Sequence, residues 1–184
     1  MKWVWRILGG VVGLLVLVVL GLWLVGMRPG HGHNEGSVEI ARPVEKVWPW
    51  LSENDKLKQW IQGLAEIHSI TPGVQGVGER LHVSMVFDGH RTDVEMRITE
   101  YEKFRKLGYE MLSVGDPKNG FRSKLLYTIE VNDGRTRVTL KDDSTYYGFL
   151  PRLFEPLITP SAQKPLEENF ARLKRLAETE SKGK

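Results

Sequence analysis

Cysteine is absent from this 184-residue chain, which excludes disulfides and thiolate metal sites. Also missing are Asn-x-Ser/Thr acceptors, an HExxH pair, a phosphate-binding loop and a dinucleotide fingerprint. Gly76-x-Gly78 lacks a third glycine and a strand–helix setting, so it reads as a turn. No serine sits in a nucleophile-elbow pattern, and His68, His82 and His90 are scattered along the chain. An excess of one charge is lacking too. The formal charge is +3, and setting Lys2 and Arg6 aside leaves 24 basic against 23 acidic residues. A nearly neutral body argues against nucleic acid as a partner. Nothing in the pattern requires a metal or a cofactor.

The composition is that of a globular protein, 41% apolar and 27% charged. Its apolar residues are unevenly spread. Ile7 to Met27 form 21 residues without a charge. At ~1.5 Å per residue such a helix is about 31 Å long, matching a hydrocarbon core of ~30 Å. Trp3, Trp5 and Trp23 fall near its ends, where indole favours the interface. A cleaved signal would have a shorter apolar region, usually ~7–15 residues, and a small-x-small site. The only loose site ends at Gly26, with Leu24 two positions before it. Residues 1–27 are therefore expected to be a retained transmembrane anchor. Lys2, Arg6 and the amino terminus outweigh Arg28, which places the N-terminus in the cytoplasm and the rest outside, in the periplasm of a Gram-negative cell. Gly9 and Gly13 have the spacing that lets helices approach closely in a weak dimer, although lipid-facing filler is the commoner role.

Residues 28–36, rich in Gly and polar side chains, read as a linker. His31 and His33 within it form an HxH pair without a third ligand nearby, and read as solvated. Ser37 to Ala41 is a strand candidate. Pro43 opens a helix with a Val44, Val47, Trp48, Leu51 stripe. Asn54 or Asp55 caps a second, with Leu57, Trp60, Ile61 and Leu64 on one face. From residue 81 the period becomes two. Leu81, Val83, Met85 and Phe87 share one phase; Val94, Met96 and Ile98 share the next. Leu107, Tyr109 and Met111 follow, then a Gly/Pro/Asn loop from Gly115 to Gly120, then Leu125, Tyr127, Ile129 and Val131, then Val138 and Leu140. Asp88-Gly89 and Asp133-Gly134 are hairpin signals. About six antiparallel strands result, apolar on one face. Pro151, Pro156, Pro160 and Pro165 interrupt the next apolar stretch, predicting a short turn and a kink. A long final helix then carries Leu166, Phe170, Leu173 and Ala177 on one face, and residues 179–184 form a polar tail.

This order resembles the START-like (SRPBCC) superfamily, and within it the polyketide cyclase/dehydrase-type group. The resemblance rests on Val38 to Trp48 with Leu51 and Trp60, on Gly76-Val77-Gly78-Glu79-Arg80, and on the amphipathic close from Leu166 to Glu178. It covers roughly residues 37–178, with Arg42 departing from the small or apolar residue common before Pro43. It implies an α+β helix-grip fold, a curved antiparallel sheet around a long C-terminal helix. It also implies a hydrophobic cavity, used across the family for lipids, sterols, polyketides and quinones.

Cavity-lining candidates are the inward-phase Met85, Phe87, Met96, Tyr109, Met111 and Tyr127, with Tyr146 at the mouth and Phe154 from the segment entering the last helix. Asp142 shares the phase of Val138 and Leu140. A regular strand would bury its carboxylate as a ligand contact or acid/base group. A strand end or bulge that leaves Asp142 in water is the favoured reading. Trp48 and Trp60 read first as core. Three functions fit: a binding protein for a small hydrophobic or lipid-like molecule, the leading expectation; a cyclase-type enzyme using Asp142 with an inward tyrosine; and an interaction module with a filled core.

Overall fold

A computed structural model of the chain describes residues 2–116 and 118–180. Helix α1, Lys2–Met27, is followed by strand β1, Gly30–Ile40, and the short helices α2, Val44–Ser52, and α3, Asn54–Trp60. Six strands come next: β2, Leu64–Ser69; β3, Arg80–Phe87; β4, His90–Glu102; β5, Lys106–Asp116; β6, Asn119–Asn132; and β7, Arg135–Tyr146. Helices α4, Phe149–Ser161, and α5, Gln163–Thr179, close the chain.

The strands form one antiparallel sheet in the order β1-β7-β6-β5-β4-β3-β2. Both Asp-Gly pairs adopt left-handed backbone at each residue, with φ of 48° and 78° at Asp88-Gly89 and 48° and 73° at Asp133-Gly134. These are the conformations that two-residue hairpins need to follow the strand twist. Register shifts between Ile98 and Glu100 on β4, and between Glu110 and Val114 on β5, bend the sheet. Its concave side holds α5, whose Phe170, Leu173 and Ala177 are buried at helical spacing. The Phe170 and Leu173 side chains each contribute roughly 1.5–3 kcal/mol on burial. Trp60 stacks on Phe170, with centroids 6.4 Å apart, and its indole N–H donates to the Trp50 carbonyl at 2.8 Å.

The fold is α+β as expected, and four local readings are corrected. The segment 28–36 is not an irregular linker: β1 begins at Gly30 and pairs with β7 from Gly30–Tyr146 to Ile40–Thr136. The inward phase of β1 is Gly30, Gly32, Asn34, Gly36, Val38 and Ile40. Three of those glycines let helices lie directly on the strand. A Cβ at Gly32 would fall 2.5 Å from Thr159 Oγ1, and one at Gly36 3.0 Å from Leu166. A domain boundary at Gly36 would thus cut β1 in half. Second, α3 stops at Trp60, and Leu64 starts the edge strand β2. Third, the loop expected from Gly115 to Gly120 is narrower, because Asp116 pairs with Asn119; Pro117 lies outside the described residues. Fourth, α4 is a full helix rather than a turn, with Pro156 and Pro160 inside it. Pro151 and Pro165 occupy the first turns of α4 and α5, where no backbone donor is missed. Of the expected tail, Thr179 ends α5 and Glu180 accepts bonds from Trp50 and Lys56, while residues 181–184 lie outside the described residues.

Helix α1 contains one stretch, Gly9–Met27, long and apolar enough to cross a membrane. Its side chains are almost wholly exposed.

Candidate functional site

Between α5 and the concave sheet lies a cavity of about 200 Å³. Strands β3 to β7 contribute Val83, Met85, Val94, Met96, Tyr109, Met111, Leu125, Tyr127 and Leu140 to its wall. The inward strand phase accounts for all of them. Trp60, Ile61, Leu166 and Asn169 close it from the helical side, and Leu64 from the edge strand β2. Ile61, Met85, Met111, Leu125 and Leu166 are only partly buried, so the space approaches the surface there.

Polar groups in the wall are few: Tyr109, Tyr127 and Asn169. The two tyrosine rings meet edge-on, with centroids 6.4 Å apart at 89°. Burial pushes both phenols far above the usual tyrosine range, so they stay protonated at any ordinary pH. They can donate or accept one hydrogen bond, but cannot supply a phenolate. Asn169 is oriented by the backbone N–H of Gln62, which donates to its Oδ1 at 2.9 Å. The amide nitrogen of Asn169 therefore remains the end available to a guest.

Volume restricts the guest. Drug-sized ligands occupy ~300–1,000 Å³, whereas an apolar cavity of ~150 Å³ takes benzene. At about 200 Å³ the resting space suits a ring-sized molecule or a short stretch of acyl chain. Three of its walls are methionines, whose unbranched side chains rearrange readily, so a larger guest has somewhere to push.

Of the residues expected in this space, Met85, Met96, Tyr109, Met111 and Tyr127 border it. Phe87 does not: it is exposed at the β3 hairpin, with its ring against Gly63. Tyr146 is buried elsewhere, stacked on Phe121 at 5.9 Å near the end of β7. Phe154 is half exposed on the outer side of α4. Both miss the cavity because β7 and α4 extend past its end. Sequence periodicity could not find Leu166 and Asn169, since only the docking of α5 selects them. Trp60, read first as core, is both core and wall.

Asp142 corrects a further expectation. β7 neither ends nor bulges there, but pairs regularly with β1 and β6 through Tyr146. The Asp142 carboxylate therefore points inward, accepting bonds from the Ser123 hydroxyl and, at 3.2 Å, from that of Ser144. Burial raises its pKa against the opposing effect of those two donors. Asp142 is not part of the cavity wall, although its charge adds to the burial that raises the Tyr127 phenol in that wall.

The outer face of the sheet gathers a second polar cluster that spacing alone does not reveal. The His68 and His82 rings lie 5.0 Å apart. Ser84 Oγ is 3.3 Å from His82 Nε2 and donates to the Asp93 carboxylate, while Arg91 reaches both Ser84 at 2.7 Å and Glu66 at 2.9 Å. These residue types suggest a nucleophilic triad, but the connections are wrong. Asp93 accepts from the serine instead of orienting the second histidine nitrogen, and Ser84 is fully buried. The Ser84 hydroxyl and then Arg91 hold the Asp93 pKa down, which marks a stable ion cluster rather than a base. Among the described residues no group of three or more His, Asp or Glu is placed to hold a metal.

Residues 32–178 match the family described as "Polyketide cyclase / dehydrase and lipid transport". No curated protein matches the sequence significantly. Solved structures with the same fold include the ZhuI aromatase/cyclase from Streptomyces sp. R1128, 15% identical with a TM-score of 0.64, covering 83% of this chain and 98% of that one. A hypothetical protein from Helicobacter pylori is 13% identical, with a TM-score of 0.65 over 79% of this chain and 87% of its own. Ara h 8.0201 is 15% identical, with a TM-score of 0.58 over 80% and 98%. At such identities the likeness is one of fold. Family and fold support a hydrophobic-ligand-binding or polyketide-cyclase-like protein. What the sequence shares with these proteins is a curved sheet gripping a helix, and with its family match over most of its length the chain belongs to the polyketide cyclase/dehydrase and lipid transport family of the START-like superfamily.

Proposed function

We propose that this protein is a membrane-anchored binding protein for a small hydrophobic or lipid-like molecule. The observation that carries this reading is the cavity itself. It lies between α5 and the sheet and is apolar except for two neutral phenols and one amide. The space between sheet and helix favours this reading over an interaction module with a filled core. Asp142 is not part of the cavity wall, which favours binding over cyclase chemistry.

The exposed apolar surface of α1 supports the anchor, since such a surface is stable in lipid and not in water. Lys2 and Arg6 at its start support an orientation with the N-terminus in the cytoplasm and the domain outside. Gly9 and Gly13 on α1 face open space, which suits a weak helix-mediated dimer. Carbonate extraction should leave the protein in the membrane, and protease added to spheroplasts should digest the domain. The ligand reading is tested by mass spectrometry of small molecules extracted from the purified full chain. An apolar compound in molar proportion is expected from the wild type and not from Met96→Trp. Equal recovery from both would place the compound outside the cavity.

A further inference from the structure

Helix α4 is inside out for a helix in water. The residue it buries is Glu155, whereas Leu150, Phe154, Leu157 and Ile158, at i, i+4, i+7 and i+8, are exposed to 60%, 50%, 71% and 46%. With Phe121 and Tyr146 these side chains line an apolar groove on the outside of the domain. A contiguous apolar face of this kind marks a contact surface. Its polar side is the one turned inward. Glu155 pairs with Arg28, directly after α1, and Thr159 links Glu155 at 3.3 Å to the Tyr146 hydroxyl at 3.4 Å.

The position of the face identifies what covers it. Phe149, the first residue of α4, packs on Gly26 so closely that a Cβ there would fall 2.3 Å from its ring. Gly26 is one residue from the end of α1. The apolar surface of α4 thus continues that of α1, at the level where α1 leaves the hydrocarbon. The Arg28–Glu155 pair ties α4 to the residue that follows α1, and the close approach at Gly30, where a Cβ would fall 2.9 Å from Arg152 Cγ, ties α4 to the start of β1. The nearby cations are turned to the domain: Arg152 Nε donates to the Tyr146 carbonyl at 3.3 Å, and the Arg122 guanidinium lies over the Tyr147 ring at 5.7 Å. An amphipathic helix lying in the interface plane buries its apolar side ~5–10 Å into the headgroup–acyl boundary.

We propose, on the reading of α1 as a membrane span, that the outer face of α4 with Phe121 is inserted in the lipid boundary beside it. The domain then has two contacts with one leaflet and a fixed tilt instead of swinging on a tether.

The absence of cysteine allows single labels in the full chain. Leu157→Cys and Leu150→Cys report on α4, Val16→Cys on the middle of α1, and Glu130→Cys on the opposite end of the sheet. Each carries an environment-sensitive fluorophore in vesicles of phosphatidylcholine and phosphatidylglycerol. Iodide quenches from water, and spin-labelled lipids quench from shallow or deep positions. The expected result is several-fold weaker iodide quenching at 157 and 150 than at 130, with strong quenching by shallow spin labels. Val16→Cys should respond to deep labels alone. Iodide quenching at 157 equal to that at 130, with the 16 label still deep, would overturn the proposal and leave the anchor intact. Protection from iodide without response to spin-labelled lipid would also overturn it, by showing a protein cover such as a second copy. Iodide access at 16 would reject the anchor and this inference with it.

Discussion

Helices α4 and α5 are neighbours with similar amphipathicity and opposite solutions to it. α5 turns Phe170, Leu173 and Ala177 into the domain. α4 turns Glu155 in and Leu150, Phe154 and Leu157 out. An apolar stripe therefore states that a helix face needs cover, without saying what supplies it. For α5 the cover is the concave sheet. For α4 it lies beyond the chain, on the side where α1 ends.

The comparison can be broken most forcefully by truncating one leucine on each helix. Leu173→Ala should cost about 2–5 kcal/mol, because the side chain is fully buried. Leu157→Ala should stay within about 0.5 kcal/mol, as for an exposed site away from packing. Denaturant midpoints in the same mild detergent compare the two, and similar losses would mean that α4 is packed by the domain after all. Gly32→Ala sharpens the comparison at the base of α4. Its methyl group would meet Thr159 at 2.5 Å, so a loss of about 1–3 kcal/mol is expected, read from the same midpoints. A neutral effect would restore the reading of that segment as a loose linker. The smallest expected effect is at Asp142, near the same end. Burial raises its folded pKa above the unfolded carboxylate value of ~3.9. Folding thus favours the protonated form, and its contribution is complete below the unfolded value and is lost as pH rises through the folded one. Asp142→Asn, which keeps an acceptor for Ser123 and Ser144, removes that dependence. The variant should gain on the wild type as pH rises, checked by midpoints between about pH 4 and pH 8.

Period-two patterning was enough to place β3 to β7, because each strand has one face on the core and one in water. The Asp-Gly pairs fixed two of the hairpins for a local reason, left-handed backbone at both residues. β1 was legible only from Ser37 onward. Its first half alternates just as strictly, but the inward residues are Gly30, Gly32, Asn34 and Gly36, and small residues carry no hydropathy signal. The same glycines that suggest flexibility in a sequence serve close approach in the fold. β2 was hidden because Leu64 continues the stripe of α3, and only Ile67 follows it as a buried residue. At the candidate site, strand phase brought five residues to the cavity, since phase is local. Phe87, Tyr146 and Phe154 were misplaced because phase does not say where along a strand the gripping helix ends. Asp142 shows the same rule succeeding at a polar residue, where hydropathy argued against it.

The central claim is that the space under α5 takes an apolar guest, and photolabelling in vesicles tests it most directly. An apolar diazirine equilibrated with full-length protein and activated by light should label peptides carrying Met96 and Tyr127 as well as α1. The label on α1 serves as an internal reference. Met85→Trp and Met96→Trp should each abolish cavity labelling and leave that on α1 unchanged, with little shift of the denaturation midpoint, because about 200 Å³ has room for an indole. Wild-type protein labelled only on α1 and the outer face of α4, together with a loss of about 1–3 kcal/mol in both variants, would show close-packed core instead and contradict the binding function.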